Sequence, residues 1–357
     1  MNEANGDIEE AINHWEQVTV LQPGKIEPLI ELGKNYLANE ESQKTIEILE
    51  SGRKINPNSV ELYLLLARAY EINGNLVEAL DNAAYAGQLD NKSSVPLLLC
   101  GEIALNMGDM QRAQEFANSA LARNPENVKV ILFASKIASR RKGPIASLDV
   151  IDHAIANGNN SVPVMLEKAA ILQKLGKKNE AFESLQALAS RVPDNAEVMS
   201  ALAESQLALG KNLDAVDSAH RALKIDPDIS DMHLLIGLYQ GKNGQLDLAV
   251  DHLSEALRID PSNVEAYLAL ANILKERRDF AGARKTYEEA IKNCPDQAMP
   301  FYQLAMMLKE SKDYSGTESL LRKAAALAPD DVNIKRQLGA VIALNLVHNA
   351  QEVTRSQ

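Results

Sequence analysis

Starting at Pro23 and stepping by 34 residues, the chain arrives at Pro57, Asn91, Pro125, Asn159, Pro193, Pro227, Pro261, Pro295 and Pro329. Eight of these ten positions are proline and the other two are asparagine, another turn-former, and no insertion or deletion disturbs the register. Whole phrases return with it, as in ALKIDP at 222–227 and ALRIDP at 256–261. A period of this length sustained along a chain restricts it to a stack of similar units, because each unit is too small to bury its apolar face alone.

Other phases of the period fill in the unit. Glycine recurs at Gly6, Gly74, Gly108, Gly176, Gly210 and Gly244, between two helical patterns, where it suits the left-handed residue that ends a helix. The lattice prolines stop the second helix of each unit. Pro28, Pro96 and Pro300 share a phase in the first turn of the next helix, where a missing N–H costs nothing. Each unit therefore reads as helix, tight turn, helix, short turn.

Two columns contain only small residues. One runs Gly33, Ala67, Gly101, Ser135, Ala169, Ala203, Gly237, Ala271, Ala305, Gly339 along the first helices. The other runs Ala11, Thr45, Ala79, Ala113, Ser147, Ala181, Ala215, Ala249, Ala283, Thr317 along the second helices. They mark where the two helices of a unit approach closely. A third column, including Ala86, Ala120, Ala154, Ala222, Ala256, Ala290 and Ala324, is assigned to contacts with the next unit. Larger residues such as Tyr63, Leu66, Met199, Leu202, Tyr267, Leu270, Phe301 and Leu304 fill the space between, each burial being worth about 1.5–3 kcal/mol.

In its period, small-residue columns, turn glycines and lattice prolines the sequence resembles the tetratricopeptide repeat family over essentially its whole length. The resemblance implies an all-α, right-handed superhelical α-solenoid of antiparallel helix pairs, whose first helices line a concave groove that holds a peptide or a partner's helix. The register divides the chain into the second half of a leading repeat (1–25) and nine repeats (26–59, 60–93, 94–127, 128–161, 162–195, 196–229, 230–263, 264–297 and 298–331). A terminal helix of a partial repeat (332–357) follows. Both ends fall inside repeats and the last helix keeps Val332, Ile334, Leu338, Val341, Ile342 and Leu346, so a segment of a longer protein is expected, the alternative being a natural chain with degenerate ends. The repeat at 128–161 is the weakest, with Lys142 at the glycine phase, Pro144 soon after and Asn159 for proline. It reads either as sequence drift or as a soft joint.

On the groove geometry that the resemblance implies, one phase reads Ile30, Leu64, Leu98, Leu132, Leu166, Ser200, Leu234, Leu268, Tyr302, Arg336. This column either offers an apolar strip to a ligand or packs into the core. A neighbouring phase is mixed and includes Lys34, Arg68, Glu102, Lys136, Glu204, Leu238 and Asn272. The lysine and asparagine clamp with which some family members hold a terminal carboxylate is absent, and so is the asparagine ladder of sugar-transferring members.

Charge singles out one region. In a chain of net charge −12, nine basic residues lie between Lys129 and Lys178 against only Asp149, Asp152 and Glu167. Of these, Lys129, Lys136, Arg140 and Lys174 fall on groove phases. They form either a solvated face or a patch that steers an acidic, amphipathic peptide into the groove. The candidate peptide-binding residues are Leu64, Arg68, Leu98, Lys129, Leu132, Lys136, Arg140, Leu166, Lys174, Leu234, Leu268, Asn272 and Tyr302.

The remaining chemistry is sparse. The acidic balance argues against general nucleic-acid binding. Cys100 and Cys294 fit neither a disulfide framework nor a metal spacing, and the six histidines form no HExxH or Cys/His set. His233 occupies a core phase, and Trp15 a packing phase. No catalytic residue, metal site or cofactor is expected. The opening MNEANGDIEEAINHW is not a signal peptide, and no 18-residue apolar run crosses a membrane. The chain as given reads as cytoplasmic; a lost upstream signal would make it periplasmic. The plain, insertion-free repeats suggest a bacterial source. The expected function is a non-catalytic scaffold for a protein or peptide partner. The alternatives are the targeting arm of a glycosyltransferase or sulfotransferase whose catalytic domain lies elsewhere, and a rod self-associating through uncapped ends.

Overall fold

The computed structural model describes the backbone over residues 2–356 and side chains over residues 7–348. Among the described residues the secondary structure is helical throughout, without strands. The chain divides into two compact units, Met1–Ser184 and Leu185–Gln357. The first holds α1 (Asn2–Leu21), α2 (Glu27–Ala38), α3 (Ser42–Ile55), α4 (Val60–Ile72), α5 (Leu76–Leu89), α6 (Val95–Asn106), α7 (Met110–Arg123), α8 (Val128–Lys142), α9 (Pro144–Ala156) and α10 (Val162–Lys174). Helix α11 (Lys178–Arg191) spans the division. The second holds α12 (Ala196–Ala208), α13 (Asn212–Ile225), α14 (Ser230–Lys242), α15 (Leu246–Ile259), α16 (Val264–Glu276), α17 (Phe280–Asn293), α18 (Ala298–Glu310), α19 (Tyr314–Leu327) and α20 (Val332–Ser356).

Hydrogen bonds at the turn between first and second helices explain the glycine phase. After α4, the Gly74 N–H donates to the Glu71 carbonyl and the Asn75 N–H reaches back to Tyr70 at 2.9 Å, a Schellman closure that needs a left-handed residue. Gly74 supplies it with φ of 82°. The same closure forms after α2, α16 and α18, where Glu40, Arg278 and Lys312 are driven to φ of 62°, 63° and 64° without being glycine. The backbone frame, rather than the residue, sets the turn.

Two turns depart from the register. Gly6 lies inside α1 instead of at a turn, since the helix runs unbroken from Asn2. A helical glycine costs only about 0.5–1 kcal/mol relative to alanine, which a continued hydrogen-bond ladder offsets. In 128–161, Lys142 stays helical and Gly143 makes the turn at φ 87° and ψ 178°, followed by Pro144 at the start of α9. Both helices of this repeat are formed, and α9 ends at Ala156 with Gly158 left-handed at φ 94°.

The turns into the next first helix combine the lattice prolines with side-chain caps. Asn195 Oδ1 accepts from the Val198 N–H at 2.9 Å and Asn263 Oδ1 from the Ala266 N–H at 3.0 Å, while Ser59 and Asn127 cap α4 and α8 in the same way.

The small columns lie at the crossings. Within helix pairs, a Cβ on Gly33 would come within 3.1 Å of Leu49 and one on Gly237 within 2.8 Å of Leu253, while one on Gly101 would come within 2.6 Å of the Phe133 ring on the next first helix. Ser135 and Ser147, from facing columns, share a hydrogen bond of 2.7 Å. The third column meets the next first helix: a Cβ on Gly52, at the phase of Ala86, would lie 2.9 Å from Leu62. The core is accordingly a series of shared clusters. One joins Ile30, Leu49, Leu62, Tyr63, Leu66 and Ala86 across α2 to α5, and another joins Leu234, Leu253, Ala256, Ala266 and Leu270 across α14 to α16.

In each unit consecutive first helices also touch one another, α2 with α4, α4 with α6 and α8 with α10 in one, α14 with α16 in the other. Second helices pack chiefly on the first helices to either side. The first helices therefore form the tighter, inner wall and the second helices the outer face.

Candidate interaction surface on the inner wall

The wall of the first unit begins with charges that satisfy each other. Lys34 Nζ lies 2.7 Å from both Glu31 on its own helix and Glu61 on α4. The hydrogen bonds it donates to Glu31 and then to Glu61 hold its ammonium above the ordinary lysine value. One repeat on, Arg68 pairs with Glu71 at 2.9 Å and with Glu102 on α6. Glu71 also accepts from Asn106 Nδ2 at 2.6 Å. Exposed pairs of this kind add little stability, but with two cations set against four carboxylates they leave no free cation for a ligand.

The pattern stops at α8. Lys136 stands at the phase of Lys34, Arg68 and Glu102, yet the carboxylate before it is taken by Arg68 and the residue after it is Ala170. Lys129, Lys136 and Arg140 are exposed and take part in none of the ion pairs found among the described residues. Their spacing of seven and four places them on one face of α8. Lys174, at the phase of Arg140 on α10, is exposed and equally unpaired. Elsewhere in the basic region, Lys168 is neutralised by Asp152 at 2.7 Å and Lys177 by Glu180 at 3.1 Å.

The apolar column sits at the base of this wall. Leu64, Leu98, Leu132 and Leu166 are half-buried, and the first three pack against the core clusters of their own repeats. In the second unit Leu234 is buried in the core, Leu268 is half-buried, and the Tyr302 hydroxyl accepts from Asn333 at 3.0 Å. Asn272 is exposed and accepts from the Tyr287 hydroxyl at 3.3 Å. The structure thus brings Leu98, Leu132, Leu166, Lys129, Lys136, Arg140 and Lys174 onto adjoining helices of one unit, whereas Leu234, Leu268, Asn272 and Tyr302 belong to the other.

Other reactive groups are placed for packing. Burial pushes the Cys100 thiol up to about 12, keeping it protonated. Trp15 packs against Ile12, Leu32 and Tyr36. His233 is half-buried with Nδ1 3.0 Å from His252 Nδ1 and Nε2 3.0 Å from the Pro227 carbonyl oxygen. The His pair escaped the sequence reading, although each member was visible singly. Among the described residues no helix is long and apolar enough to cross a membrane.

Comparison with known proteins agrees with this architecture. The tetratricopeptide repeat profile matches residues 166–228 and 234–298. A TPR repeat-containing protein of Bacillus subtilis, YpiA, is 23% identical over 186 residues, which make up 52% of this chain and 43% of that protein. The chain therefore spans less than half the length of that relative. Among solved structures, a tetratricopeptide repeat protein from Parabacteroides merdae superposes with a TM-score of 0.52 at 15% identity, over 70% of this chain and 99% of that one. A human IFIT1 dimer with m7Gppp-AAAA gives 0.53 at 15% identity, over 92% of this chain and 83% of that one. At these identities the likeness shows the fold. Residues 166–228 and 234–298 carry tetratricopeptide repeats, and helix pairs at the same 34-residue spacing, with small residues at their crossings, continue that architecture through the other described residues.

Proposed function

We propose that the chain is a non-catalytic interaction scaffold whose inner wall at α8 and α10 takes an acidic, amphipathic segment of a protein partner. The observation that carries this reading is the change from self-paired charge at Lys34 and Arg68 to uncompensated charge at Lys129, Lys136, Arg140 and Lys174. A ligand carboxylate there meets cations that need no prior partner removed. Leu98, Leu132 and Leu166 supply apolar contact beside them.

The test is affinity capture from the source cell, with the wild-type chain beside a Lys136→Glu/Arg140→Glu variant of unchanged helicity. The retained protein is identified and its acidic segment titrated as a synthetic peptide. A segment that binds the wild type at least tenfold more tightly than the variant supports the inner-wall reading. Equal binding by both overturns it.

A further inference from the structure

The outer face carries a second feature, between α7 and α9. A cavity of about 660 Å³ opens there, lined by Leu121, Ala122 and Pro125 on one side and by Val150, His153 and Ala154 on the other. Through Asp149 and Val150 it joins a cavity of about 410 Å³ bordered by Arg141 and Lys142. Through Asn157 it joins one of about 460 Å³ at the turn, bordered by Glu126. The three run along a single seam. From Ala146 to Asn157 it is about 16 Å long at 1.5 Å per helical residue, the reach of about five extended residues.

Two residue changes account for the opening. One repeat earlier, the counterpart of Val150 is Phe116, whose larger ring packs against the cluster that includes Ala79 and Ala83 of α5 and so occupies the corresponding seam. The counterpart of Asn157 is Arg123, which crosses that seam to donate to the Ser93 carbonyl at 3.2 Å. Val150 and Asn157 are too short for either task. Helix α9 also stops at Ala156, one residue before the corresponding end of α7 at Arg123.

Charge gives the seam a direction. Arg141 and Lys142, at the end of α8, are exposed and take part in no ion pair among the described residues. Asp149 lies where the cavity beside Arg141 and Lys142 opens into the apolar one and borders both, and Glu126 stands at the far mouth. A carboxylate is favoured only at the Arg141 and Lys142 end and is repelled by Asp149 and Glu126 beyond it.

We propose that this outer seam is a docking groove, separate from the inner wall, for an extended protein segment of about five apolar residues with an acidic residue at one end. Apolar side chains fill the floor between Leu121 and Val150, and the acidic residue meets Arg141 and Lys142. A basic residue at the other end of the segment suits Glu126.

The test displays random dodecapeptides to the intact chain and measures enriched peptides by fluorescence anisotropy. Val150→Phe restores the filling residue of the preceding repeat, and Ala122→Trp blocks the rim from an exposed position, so the second remains informative if the first disturbs folding. Expected are peptides with an apolar run and an acidic residue to one side, weakened at least tenfold by both filling variants. Arg141→Glu/Lys142→Glu should weaken them severalfold, and Lys136→Glu/Arg140→Glu should leave them unchanged. Selected peptides indifferent to both filling variants, or no selection of this composition, overturn the proposal. Peptides lost only with the Lys136→Glu/Arg140→Glu variant would assign all binding to the inner wall and leave the scaffold reading standing.

Discussion

Glu40, Arg278 and Lys312 hold a left-handed backbone that an L-residue adopts at a cost of about 1–2 kcal/mol. They hold it because the Schellman hydrogen bonds around them, such as Asp279 N–H to the Leu274 carbonyl at 2.8 Å, require it. Glycine avoids that cost but loses more backbone entropy on folding, about 0.5–1 kcal/mol. Arg278→Gly or Lys312→Gly should therefore raise stability by about 0.5–1 kcal/mol, read as a higher urea midpoint, while Gly244→Ala at the same phase should lower it. A second residue-scale effect comes from His252, between His233 on α14 and His220 on α13, with Asp251 on its own helix. The Pro227 carbonyl can only accept, so His233 Nε2 carries a proton. The two Nδ1 atoms can then share a hydrogen bond only while one of them is bare. Burial, then the charges of His233 and His220, hold the His252 pKa below its ordinary value of 6.5, with Asp251 opposing. Below pH 6.5 the unfolded chain takes up a proton that the folded chain refuses. Stability should be full above that pH and fall as pH drops through the depressed pKa. The check is the urea midpoint between pH 7 and pH 5, which should slope less in His252→Asn than in the wild type. Equal slopes would remove His252 as the cause.

Between elements, the α8–α9 connection shows how a repeat absorbs a misplaced glycine. Gly143, with φ 87° and ψ 178°, occupies a region almost closed to other residues, and Pro144 fixes the entry of α9. Gly143→Ala should cost about 1–3 kcal/mol, and calorimetry of the variant checks it; a loss below about 0.5 kcal/mol would mean that the turn relaxes. The helices themselves were legible from the sequence because the period, the prolines and the small columns report the same crossings, as Gly237 against Leu253 illustrates. The moved turn was not, since the register assigns it to Lys142 and only packing shows that Gly143 takes it over. The paired wall was partly legible: Arg68 and Glu102 are opposite charges at one phase of adjacent repeats. The outer seam was written as a fall in size down two columns, Phe116 to Val150 and Arg123 to Asn157. A single leucine column could not be divided between wall and core because half-burial, as at Leu98 and Leu132, serves both.

For the whole molecule, the sign of the charge depends on how far a ligand can feel it. The chain carries a net −12, while Lys129, Lys136 and Arg140 occupy about 16 Å of one helix face without compensation. At 0.01 M salt the screening length is about 30 Å, and an acidic peptide approaching the wall feels the repulsion of the entire chain. At 0.15 M it is about 8 Å, so distant carboxylates are screened and the nearby cations dominate the last part of the approach. At 1 M, with about 3 Å, neither acts beyond contact. The association rate of a fluorescent oligoglutamate peptide should therefore pass through a maximum near 0.1 M salt rather than fall steadily. In Lys136→Glu/Arg140→Glu the remaining Lys129 and Lys174 are offset by the two new carboxylates, so repulsion prevails and the rate should rise with salt throughout. Stopped-flow mixing across this range separates the cases: a steady fall in the wild type would mean that the patch outweighs the acidic chain at every distance, and identical profiles for the two proteins would mean that α8 does no steering.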